Sequence, residues 1–236
     1  MNSVIDTNFD VESDTPKGKD PDQHSPTLRK FHRILWSKEL PSGDLFDLNE
    51  SIPQKLHHIS VLGEFILSSD GIGNPYTHRK SMNEIIIQFP KDEIRLFYYK
   101  CSTIGSFIIF PCNRIDNNMT MNQSRGMNRS IGDRFDLTLE CIKRFYTGEK
   151  NPLNETLLLY SNYFRLFRDF EGFVNFFLLQ DLVSKDYSKV KFLLPFDDFN
   201  SNPVPQEFDE YKLFKNNLIN FIDSRNKRIN RWTEKN

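Results

Sequence analysis

Between residues 113 and 134 the chain carries four arginines, Arg114, Arg125, Arg129 and Arg134, interleaved with the amides Asn113, Asn122 and Gln123. A guanidinium presents planar paired donors that match phosphate or carboxylate, and an amide can read a base or sugar edge. The segment follows the apolar run 104–111 and precedes a helical pattern, so the free N–H groups at a helix start would add to an anion site. The competing assignment is structural: the same arginines and amides could tie a long loop to the body through carbonyls and Asp133 or Asp136. No phosphate-loop signature of the GxxxxGK[ST] kind decides between them.

Chemistry on a bound ligand would also need a group that moves protons. His57-His58 precedes an apolar run, Glu64 and Asp70 follow it closely, and Asp133 sits inside the arginine segment. His58, Glu64 and Asp133 are the catalytic candidates, because an imidazole or carboxylate within hydrogen-bond reach can take a proton or hold a ribose hydroxyl. A histidine pair beside a strand more often packs or caps, and that reading stands beside the catalytic one. No HExxH or CxxC spacing occurs, so no metal site is expected, and no motif names a cofactor.

The 236-residue chain that must hold these residues has 22 Phe and no alanine, with 38% hydrophobic and 14% aromatic residues. That composition excludes wholesale disorder and predicts a core of large side chains. The net charge of −1 argues against a general nucleic-acid coat, so nucleic acid is a disfavoured partner and any anion site must be local. Cys101, Cys112 and Cys141 suggest reduced thiols, and an acidic start with no long apolar run gives the cytoplasm as the expected location, away from membranes.

Residues 1–24 read as a polar acidic arm, with a short strand near 4–11, and residues 25–236 as a single globular domain. Ser25-Pro26 predicts a helix start, and Leu28, Phe31, Ile34 and Leu35 continue it to Trp36. Strands are expected at 45–48, 59–68 and 104–110, and a last one near 189–195. Helices are expected at 79–89, broken at Pro90 before a second short one, at 131–145 with Gly148 as C-cap, at 152–167 and 171–183, and at 208–229. The phenylalanines at 164, 167, 170, 173, 176 and 177 recur at helical spacing, which favours core packing over a stacking surface.

Several segments together resemble a known family. They are Ser25-Pro26-Thr27-Leu28, Leu35-Trp36-Ser37-Lys38, Leu62-Gly63-Glu64-Phe65, Thr103-Ile104-Gly105, Asn122-Gln123-Ser124-Arg125-Gly126, Asp133-Arg134-Phe135-Asp136 and Leu194-Pro195-Phe196-Asp197. Over about residues 20–228 the chain resembles an uncharacterised bacterial domain-of-unknown-function family, number 6994. The resemblance implies membership and carries no activity with it.

The fold class expected is a mostly helical α+β domain with a small sheet packed against Phe-rich helices. The leading functional expectation is a protein that binds a phosphate-bearing small ligand, a nucleotide or dinucleotide, in the 113–134 segment; whether it also turns that ligand over stays open. The alternative is a non-enzymatic partner-binding protein that uses the N-terminal arm and the C-terminal helix.

Overall fold

Asp20 and Ser25 each place a side-chain oxygen on a helix N-terminus whose first residue is proline, which starts α1 (Pro21–His24) and α2 (Pro26–Trp36). Proline there gives up no helical hydrogen bond and arrives with its φ already set. In the computed structural model, which describes residues 5–235, α2 buries Leu28, Phe31, His32, Leu35 and Trp36. The sheet follows as β1 (Leu56–Ser60), β2 (Gly63–Gly71) and β3 (Phe107–Pro111), antiparallel in the order β1-β2-β3.

Four strand expectations need correction. Residues 59–68 form the tip and most of a hairpin, not one strand: Gly63, at φ +133°, lets the chain reverse so that Ser60 pairs with Gly63. Residues 45–48 make only isolated bridges nearby, Glu39 to Leu45 and Asn49 to His57, and the 189–195 segment contributes only the bridge of Val183 to Val190. Residues 104–106 form a 3₁₀ turn ahead of the fully buried β3.

Between β2 and β3 lie α3 (Asn83–Ile86) and α4 (Lys91–Cys101); beyond β3 come α5 (Met121–Met127) and α6 (Phe135–Thr147). Gly148 caps α6 at φ +74°, as its position suggested. The expected helix 152–167 is divided into α7 (Asn154–Leu159) and α8 (Ser161–Arg165), and the next is shortened to α9 (Phe170–Phe176). Gly172 lets α9 approach so closely that a Cβ there would lie 2.0 Å from the Phe167 carbonyl oxygen. The chain closes with α10 (Phe208–Thr233), whose Tyr211, Phe214, Leu218, Phe221, Ile222 and Ile229 are buried.

The rings of Phe167, Phe173, Phe176 and Phe177 pack at 5.0–5.3 Å centroid separations, and Trp36 joins them edge-on to Phe177 at 5.2 Å. The aromatic run is therefore core. The arm is docked: Ile5, Thr7 and Val11 are buried, Val11 N–H donates to the Ser102 carbonyl at 3.0 Å, and the Tyr99 hydroxyl donates to the Asn8 carbonyl at 2.7 Å. The strand expected at 4–11 begins outside the described residues; from 5 to 11 the chain makes turns leading into the 3₁₀ segment Val11–Asp14. Among the described residues no helix is long and apolar enough to cross a membrane.

Candidate functional site

β2 ends in Ser68-Ser69-Asp70-Gly71, where an apolar strand turns polar while still paired with β3. Arg125 of α5 fills the space beside it. Its guanidinium pairs with the Asp70 carboxylate, lies 3.7 Å from Asp133 Oδ1, and donates from Nε to Thr138 Oγ1 at 3.0 Å. Phe135 and Phe110 lie under the charge at 5.4 and 5.9 Å. Arg125 is 0% exposed, and each of its three guanidinium nitrogens donates inside the protein.

More acids gather here than one arginine neutralises. α1, which packs on β2, brings Asp22, whose carboxyl is held well above the usual range by burial first and by Asp70 second. Burial also pushes Asp70 up to about 6, against the lowering pull of Arg125. Asp133 is more open and accepts Asn74 Nδ2 at 2.6 Å. Its backbone sits at φ +63°, next to the Gly132 carbonyl that takes the Tyr76 hydroxyl at 2.9 Å and Arg79 Nη2 at 3.1 Å. Asn122 donates to the Ser69 carbonyl at 3.0 Å while its buried Oδ1 accepts from nothing among the described residues. Three carboxyl groups, with Asp22 held toward its protonated form, and an amide oxygen without a partner among the described residues still offer more acceptor oxygens than a single guanidinium fills. Such a cluster suits a group that brings hydroxyl or amino donors, and it does not suit a bare anion.

Anion-binding capacity lies one residue further on. Arg129 and Arg79 line a groove of about 130 Å³ with Met127, Asn128, Gly132 and Pro203. Neither arginine has a carboxylate partner within ion-pair distance among the described residues; Arg79 stacks on Tyr76 at 4.9 Å. Gly132-Asp133 joins this groove to the acid cluster. A larger pocket of about 660 Å³ meets α5 at Ser124 and Met127, but its amides Asn128 and Asn151 already bond neighbouring backbone.

The four arginines of the sequence motif thus divide. Arg134 is buried on Asp136, at 2.5 and 3.2 Å, and on the carbonyls of Pro203 and Leu194, an internal clamp between the start of α6 and the 194–203 loop. Arg125 is clamped in the acid cluster. Arg114 is exposed and reaches only Gln123 Oε1 at 3.4 Å, and Gln123 is engaged in the capping box of α5 with Thr120. Asn113 contributes a carbonyl to Tyr160 at 2.7 Å. Of the four, Arg129 alone faces the groove.

The catalytic candidates are likewise separated. Asp133 stands in the cluster, but Glu64 begins β2 and Asp70 ends it, about 20 Å apart at ~3.3 Å per residue. Glu64 accepts from His57 Nε2 at 2.8 Å. His58, paired across the hairpin with Phe65, donates from Nδ1 to the Asp47 carbonyl at 2.9 Å, so Nδ1 carries the proton. Burial lowers the His58 pKa, and Phe46 lies 4.2 Å from its ring. Asp22, Asp70, Asn74 and Arg79 were not singled out as a site by sequence reasoning. The polar ending Ser-Ser-Asp-Gly on an apolar strand was the signal that could have found Asp70.

A helical α+β protein with a short antiparallel sheet, and with a polar cluster where its central strand ends, is the class that fold and site define. Residues 5–229 match the model of a family of unknown function (DUF6994), and the chain belongs to that family. Comparison with curated proteins and with solved structures finds no match.

Proposed function

We propose that the protein binds a nucleotide or dinucleotide across Gly132-Asp133, with a phosphate in the Arg79–Arg129 groove and ribose or base donors on the acid cluster. The observation that carries this reading is the pair of guanidinium groups lining one groove without carboxylate partners, beside carboxylates in excess of their cation. Carboxylates that accept from vicinal sugar hydroxyls, next to donors that hold phosphate, are a recurrent division of labour in nucleotide sites. The same geometry favours a binding protein over an enzyme, because His58 and Glu64 stand away from the ligand; Asp133 and Asp70 would be the groups to handle a proton if turnover occurs. Three cysteines that remain free thiols support a cytoplasmic setting.

The test is a calorimetric titration with adenosine monophosphate, a nicotinamide dinucleotide, adenosine and inorganic phosphate. Arg129→Ala, at an exposed position, should weaken the nucleotide by ~1.5–3 kcal/mol, the scale of a lost charge-assisted hydrogen bond, and leave the melting temperature and adenosine binding unchanged. Asp133→Asn should weaken both nucleotide and nucleoside. If no phosphate-bearing compound binds the wild type, the reading fails.

A further inference from the structure

Lys38, just beyond α2, is surrounded by aromatic faces. Its Nζ lies 4.9 Å from the centre of Trp36, 4.7 Å from Phe176 and 5.3 Å from Trp232, and donates to the Phe176 carbonyl at 2.6 Å. Among the described residues no carboxylate comes within ion-pair distance of it. On the Trp36 indole, 5.7 Å away, stacks the guanidinium of Arg225, which is fully buried on the carbonyls of Gly105, Phe107 and Phe177 and also lacks an acid partner among those residues. Two cations share one indole with no anion of the described residues between them. Because a guanidinium keeps its proton and an ammonium yields one readily, the pair is relieved at Lys38. Burial first, and Arg225 second, bring the amine down to about 7. Lys38 is not sealed in: with Pro41, Asn175 and the charged Glu39, Arg168 and Glu171 it lines a pocket of about 430 Å³.

We propose that Lys38 is a nucleophilic amine that captures a small aldehyde or ketone in this pocket as a Schiff base. The Nζ lone pair forms the C–N bond while the carbonyl π pair moves to oxygen; the carbinolamine then expels that oxygen as water with the two protons that began on nitrogen, leaving C=N. No electrons are gained or lost, so no oxidant or reductant takes part. Glu39 and Glu171 line the same pocket beyond ion-pair distance of Nζ, so those protons would pass to them through water, and Arg168, bonded to Asp169 through Nε, has its outer nitrogens for a polar substituent. The pocket shares no residue with the arginine groove, and the proposal stands apart from the nucleotide reading.

The test is reductive trapping of the full chain with propionaldehyde and cyanoborohydride, followed by peptide mass spectrometry. At pH 7, Lys38 should be labelled at least about ten-fold faster than the exposed Lys91 and Lys185, since far more of a low-pKa amine is unprotonated there. Its rate should level off above about pH 7.5 while theirs keeps rising, and in 8 M urea, roughly the concentration that unfolds most domains, the preference should vanish. Lys38→Arg should remove the fast phase from the intact mass; should that variant misfold, the wild-type pH profile still decides. Labelling of Lys38 no faster than the exposed lysines, or only after unfolding, would overturn the proposal.

Discussion

Replacing Arg125 with alanine separates a clamp from a ligand contact. The substitution removes the pair with Asp70, the approach to Asp133, the bond to Thr138 Oγ1 and the charge stacked on Phe135. Losing one partner of a buried ion pair costs about 3–5 kcal/mol at pH 7. Part of that loss depends on pH, and its sign follows from Asp70. The carboxyl is raised from 3.8 to about 6 in the folded protein, so ionisation already opposes folding as pH rises through that window. Without Arg125, which pulls its pKa down, Asp70 titrates higher still. By pH 7 the variant therefore falls behind the wild type by up to about 1.4 kcal/mol, one decade at 1.36 kcal/mol per pH unit, and at pH 5, where Asp70 is mostly protonated in both proteins, this part is nearly absent. Urea unfolding followed by circular dichroism at pH 5 and pH 7 measures both parts. A total loss under about 1 kcal/mol at pH 7, or an equal loss at the two pH values, would refute the account of Arg125 as a buried clamp on Asp70.

Gly172→Ala should destabilise the protein by about 3 kcal/mol or more in the same unfolding assay, because the new methyl meets the Phe167 carbonyl oxygen and backbone must shift; a change under 1 kcal/mol, roughly the scale of a tolerated substitution, would count against the observed α9 approach. His32 should remain neutral in nitrogen NMR from pH 5 to 8, with its proton on Nε2: Trp36 Nε1 donates to its Nδ1 at 2.9 Å, Nε2 faces Ser69 Oγ at 3.0 Å, and burial brings its pKa down to about 3. A titration near 6.5, the ordinary value, would show that this chain from α2 to β2 is open to water.

Local signals in the chain were reliable where one residue decides its own backbone. Ser25-Pro26 starts α2 and Gly148 ends α6 because capping and a left-handed φ are decided within a turn of the residue concerned. The hairpin at 56–71 is harder to see, since Val61-Leu62 puts apolar residues at its tip, where Asn-Gly would have announced it. The arginines show the deeper obstacle. Arg114 and Arg125 look alike in sequence, yet one is exposed and the other matched by an aspartate 55 residues away, and only the fold brings that partner in. Arg134 is the intermediate case: its partner Asp136 was adjacent and was named as an anchor, but the two carbonyls that complete the clamp belong to the 194–203 loop. The acid cluster draws on α1, β2, the 74 region, α5 and the turn before α6, so no window of sequence contains it.

Arg225 bears on the order in which the chain can be assembled. Its donors occupy carbonyls 120, 118 and 48 residues earlier, and the same helix supplies Ile222 and Asn226 against the 103–105 turn. Until α10 has been synthesised, those carbonyls have no internal partner and the face made by α4 and the 104–106 turn stays bare. A chain in which residues 208–233 have not yet docked therefore leaves this face of its core open, and a chaperone has a defined target in the interval.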